Sequence, residues 1–123
     1  MLTIRQLRKL KEAGLEINNR KRASNKKWHG EFRWNETKNI IEIRLYPYKS
    51  CTWMCNHFTL LHELIHARDY LRGKLLFIGE AKAHEITRQD IRTDMEAVKT
   101  FAHNPKIFEE IENLWGIAWE ETK

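Results

Sequence analysis

Apolar positions change their period several times along this chain, and each change marks an element. Thr3 to Ala13 carries Ile4, Leu7 and Leu10 at helical spacing, opens on a Thr3/Gln6 capping box and meets Gly14 as its stop. Such a helix backs a core and leaves Arg5, Arg8, Lys9 and Lys11 in water. From Lys27 to Trp34 large apolar residues alternate with polar ones, Asn35 to Asn39 is turn chemistry, and Ile41, Ile43 and Leu45 alternate with Glu42 and Arg44 until Pro47. These two runs predict a β-hairpin. Helical spacing returns from about Thr52 or Asn56 to Arg72, with Gly73 past its end, and again from Gly79 to about Ala102, before His103-Asn104-Pro105. Residues 105–121 place Ile107, Phe108, Ile111, Leu114, Trp115, Ala118 and Trp119 on the apolar face of a last, amphipathic helix. The order predicts a small α+β domain: a backing helix, a short hairpin or sheet, then three helices.

A chain of 123 residues makes one domain, 1–123, and an apolar content of 41% with five Trp supports a folded core. No apolar run is long enough for a membrane span, and Met1 to Arg8 lacks the continuous apolar segment of a signal peptide. A cytoplasmic protein with no membrane partner is the expectation. Cys51 and Cys55 are too few for a disulfide framework and read as reduced, partly buried thiols. The net charge of +5 is uneven: residues 1–27 hold nine Lys or Arg against two Glu, +7, so the rest sums to −2. The cluster from Arg20 to Lys27 offers residues 5–27 to nucleic acid or another polyanion, or it is a solvated loop.

Chemistry concentrates in His62-Glu63-Leu64-Ile65-His66. Two His four apart on a helix project from one face, one turn apart, and both can reach one Zn²⁺ with Glu63 beside them as proton acceptor. The flanks, Phe58 to Leu61 and Leu64 to Ala67, are apolar on nearly every side, so this helix is buried and its polar groups need partners. A catalytic zinc needs a third protein ligand and one open position. Downstream candidates are Glu80, His84, Glu85, Asp90, Asp94, Glu96 and His103. Stepping roughly 100° per residue from Ala83, Ile91, Met95, Val98, Phe101 and Ala102 fall within roughly 0° to 120°. That stripe is expected to face inward. Glu80 and His84 fall inside it, near roughly 60° and 100°, whereas Glu85 and Glu96 fall opposite, with Arg92 and Lys99. Glu80 is therefore the expected third ligand, or else a first-turn carboxylate at a helix N-terminus. His84 comes next and Glu85 last.

His62-Glu63-x-x-His66 followed by Glu80-Ala81-Lys82-Ala83-His84 resembles the gluzincin pattern, HExxH and then a glutamate helix. The resemblance implies a small zincin-like fold over about residues 40 to 90, with Glu80 as third zinc ligand. His84 stands where that family has an Asp that supports a zinc-binding His. The spacing from His66 to Glu80 is similar to that of the smallest members, the minigluzincins. Thr59 to Ala67 also resembles the active-site helix of SprT-like proteases, which implies His84 as third ligand and DNA contact through the basic N-terminus. Glu96-Ala97-Val98-Lys99-Thr100-Phe101-Ala102 is an off-register echo of an element in ImmA-like peptidases.

The expected activity is that of a zinc metallopeptidase acting on a peptide or protein substrate, with Glu63 as general base toward a metal-activated water. Tyr46, Tyr48, His57 and His103 are candidates for a second donor to the oxyanion. The strand from Ile40 to Tyr46 is either an edge for an extended peptide or a solvated edge. Two other classes stay open: a zinc that is purely structural, closed by four protein ligands, and a metal-free nucleic-acid-binding domain.

Overall fold

The protein, seen in a computed structural model, is described over residues 1–19, 30–45, 53–73 and 83–116, with backbone alone at 53–56 and 83–89. Helix α1 (Ile4–Glu12) starts at Thr3, whose hydroxyl accepts from the Gln6 amide while the Gln6 side chain accepts from the Thr3 amide. Both halves of the expected capping box are present. Gly14, at φ +88°, turns the chain out of the helix. Leu7 and Leu10 are fully buried, and Arg5, Arg8, Lys9 and Lys11 are exposed as expected.

The sheet has three strands, not two. β1 (Glu16–Asn19) lies parallel to β3 (Ile40–Leu45), and β2 (Gly30–Asn35) lies antiparallel on the other side of β3, giving the order β1-β3-β2. β1 escapes a period-2 search because Glu16-Ile17-Asn18-Asn19 offers a single apolar residue. Pairing Glu16 with Glu42 and Ile17 with Ile43 supplies the register that the short run lacks. β3 is therefore central, which corrects the expectation that Ile40 to Tyr46 forms an edge. Glu42 is 1% exposed rather than solvated, accepting from Asn18 Nδ2 at 2.6 Å and Arg44 Nε at 2.8 Å.

Helix α2 (Trp53–Leu71) runs through the centre of the molecule and buries Leu60, Leu61, Leu64, Ile65 and Ala67 against sheet and helices. Edge strand β2 comes close to it at Gly30. A Cβ there would lie 2.9 Å from Thr59 Cγ2 and 3.3 Å from the Arg44 carbonyl, so any larger residue would push strand and helix apart. Helix α4 (Ile107–Trp115) packs as its spacing predicts, with Ile107, Phe108 and Ile111 buried and Trp115 Nε1 donating to the Leu15 carbonyl at 2.7 Å. It ends earlier than the expected residue 121, because Gly116 takes the left-handed conformation, φ 63°, that caps helices.

Helix α3 (Ala83–His103) departs most from expectation. Ile91, Met95 and Val98 are 55%, 57% and 57% exposed, while Thr93, Ala97 and Thr100 are buried. The buried set spans roughly 260° to 320° on the scale used above, nearly opposite the apolar stripe. The reason is polar. Thr100 Oγ1 accepts from the Leu2 amide at 3.0 Å, and Glu96, expected to face away, accepts from buried Arg68 of α2. These partners are available only on the α2 side, and they set the rotation of the helix.

Among the described residues no helix is long and apolar enough to cross a membrane. The basic run 20–27, Tyr46, Tyr48, Cys51 and Glu80 lie outside the described residues, and for Cys55, His84 and Glu85 only the backbone is described.

Candidate metal centre

One turn of α2 carries the centre. His62 and His66 point to the same side, their rings edge to face with centroids 4.5 Å apart and their Nε2 atoms at 2.9 Å. Glu63 and His66 are buried, and His62 is half-buried. One donor atom from each of His62, Glu63 and His66 fits within 4.8 Å of the others, so this group can hold a metal ion. The placement follows from the sequence: period 3.6 aligns the two His, and the apolar neighbours pull the turn into the interior.

Glu63 turns toward the sheet. Its carboxyl accepts from the Phe32 amide of edge strand β2, the approach that Gly30 permits. Burial first, then the charges of Asp90 and Glu31, push its pKa up to about 8, so in the metal-free protein Glu63 holds a proton at neutral pH. A dication beside it favours the ionised form instead. Burial, followed by the His62 ring, pushes the His66 imidazole below its usual range, toward the neutral form that metals take.

Helix α3 brings two carboxylates to the rings. Asp94 Oδ1 lies 2.6 Å from His62 Nδ1, and Asp90 Oδ1 lies 3.2 Å from His66 Nε2 and 3.5 Å from His62 Nε2. With Asp94 accepting a hydrogen bond from Nδ1–H, His62 presents a bare lone pair at Nε2. His66 has no such brace: its Nδ1 is buried and has no hydrogen-bond partner. Farther along the same two helices, Arg68, only 7% exposed at its side chain, bridges Asp69 and Glu96 and ties α2 to α3.

His62, Glu63 and His66 thus meet as expected. The phase argument for Glu80 and His84 rested on Ile91, Met95, Val98, Phe101 and Ala102 facing inward; only Phe101 packs against the core and the other four are exposed, which removes most of its support. Of the oxyanion candidates, His103 is thirteen residues beyond Asp90 on one helix, roughly 20 Å along its axis. His57 is buried with its ring edge-on to Phe108. Asp90 and Asp94 carry a signal that the sequence does hold, two acids four apart on one helix face. Glu31 and the Phe32 amide carry none, since nothing local marks which amide of a strand will face a helix. No protein-family model, curated protein or solved structure matches this chain.

Proposed function

We propose that the protein is a zinc-dependent hydrolase of peptide bonds, a small peptidase whose ion sits on His62 and His66. One observation carries this reading: two imidazole Nε2 atoms 2.9 Å apart on a buried helical turn, with a buried carboxyl one residue from the first. A core has no use for that arrangement. Without an ion, the two Nε2 atoms can approach this closely only if one ring donates to the other. Zinc is the ion best suited to neutral imidazole ligands with an open position, and once bound it acidifies water and polarises a carbonyl.

The chain's own groups do the rest. Asp94 holds the His62 ring in one tautomer and orientation. Glu63 takes a proton from the attacking water and passes it to the departing amine nitrogen. Burial and the Phe32 amide keep its carboxyl in one place between those transfers. A substrate chain enters along the solvent side of α2, where His62 and Asp90 are the partly exposed groups. Resemblance to gluzincin peptidases points to the same chemistry.

Zinc per chain, measured by elemental mass spectrometry on tag-free protein, tests the reading together with digestion of a mixed peptide library. One zinc per chain and cleavage that disappears in Glu63→Gln, with the zinc kept, is the expected outcome. Protein that refuses zinc at micromolar concentration sinks it.

A further inference from the structure

We propose that Asp90 is the third protein ligand of this ion and that Asp94 is the positioning residue of His62, so that the site is completed from the middle of α3. The inference rests on the proposed metal site and adds to it the identity of the remaining ligand. Three donor atoms, His62 Nε2, His66 Nε2 and Asp90 Oδ1, form a triangle with edges of 2.9, 3.2 and 3.5 Å. Ligands about 2.0 to 2.1 Å from a tetrahedral zinc are separated by roughly 3.3 Å. The triangle is therefore already one face of such a tetrahedron, before any ion has drawn it together. Glu63 Oε1 stands farther out, 3.8 Å from His62 Nε2, and is held by a strand amide. This is the position of a group that acts on a neighbouring water rather than of a ligand.

Exposure agrees with the division of roles. The side chain of Asp90 is 49% exposed, so the face of the triangle it borders opens to solvent and leaves room for a fourth, exchangeable ligand. Asp94, one turn on, reaches the far nitrogen of His62 at 2.6 Å and cannot share the ion through that ring's Nε2 side. A ligand and a brace four residues apart on one helix require that this face of α3 meet α2. The Arg68 bridge to Glu96 and the Leu2 bond to Thr100 secure that rotation.

The test is titration of the metal-free protein with Co²⁺, followed by its visible absorption, and with Zn²⁺ by calorimetry, for wild type, Asp90→Ala, Asp94→Asn and Glu80→Ala. Asp90→Ala is expected to weaken both ions at least about 100-fold and to change the Co²⁺ bands, because a ligand is lost. Asp94→Asn is expected to weaken them about 10- to 100-fold with the bands largely kept, the usual cost of losing a carboxylate behind a ligating His. Glu80→Ala is expected to leave both within about twofold. Circular dichroism of the metal-free variants separates ligand loss from unfolding, since Asp90 and Asp94 are both solvent-accessible. Loss of the ion in Glu80→Ala with its retention in Asp90→Ala would overturn the assignment and leave Asp90 as an ion-pair partner of the rings. Wild-type protein that takes up neither ion would overturn the metal site itself.

Discussion

Helices α4 and α3 both pack onto the body of the molecule, but through opposite kinds of surface. α4 presents Ile107, Phe108 and Ile111 to the core and keeps Glu109 and Asn113 outside, as periodicity alone would have it. α3 turns Asp90, Thr93, Glu96 and Thr100 inward and leaves Ile91, Met95 and Val98 in water. Apolar burial is non-directional and would have rotated α3 by nearly half a turn. Directional partners decide instead: Arg68, the Leu2 amide and the two imidazoles. A helix held this way is held by chemistry that function can use.

The contrast can be broken from either side. Ile111→Ala on α4 should remove about 2 to 5 kcal/mol of stability, the range for emptying a fully buried aliphatic site, read from urea unfolding. Arg68→Met, on the face of α2 that meets α3, should cost less, about 1.5 to 3 kcal/mol, by removing the guanidinium that donates to Glu96. It should also lower metal affinity, which Ile111→Ala should not do at temperatures where both variants are folded. A third comparison uses pH, with chelator present. Between pH 6.5 and 8 the unfolded chain has released the Glu63 proton and the folded chain, titrating at about 8, still holds it. The folded state binds more protons, so stability falls as pH rises through this window, by at most about 2 kcal/mol. His66, pushed below its usual range, opposes this only near pH 6.5, where the unfolded imidazole still holds part of a proton that the folded one has released. Glu63→Gln should flatten the profile, and a slope unchanged by that substitution would refute the buried carboxyl. Smallest of all, Met95→Ala on the outer stripe of α3 should move stability by less than about 0.5 kcal/mol, checked by thermal melting.

Wherever packing follows local pattern, the sequence is legible here. Thr3 and Gln6 announce α1, Gly73 closes α2, and the apolar spacing of α4 gives its buried face. The HExxH turn is legible for the same reason, since its geometry is internal to one helix. Legibility fails where a distant partner decides. β1 needs β3 to be a strand, and the rotation of α3 needs Arg68, Leu2 and the two rings, which are 24 to 98 positions away. Asp90 and Asp94 stood among the candidates, but nothing local singled them out over Glu80 and His84.

The two rings and the two carboxylates sit 24 and 32 positions apart along the chain, on different helices. An ion held by the two rings and Asp90, as proposed, would be a stitch across the fold, closing a loop that the unfolded chain leaves free. The supply of such an ion would then act as a dial on folding: each tenfold rise in free ion above its dissociation constant would add about 1.4 kcal/mol to the clamped state. Without it, the Arg68 bridge to Glu96 and the Leu2 bond to Thr100 would be left to keep α3 in place.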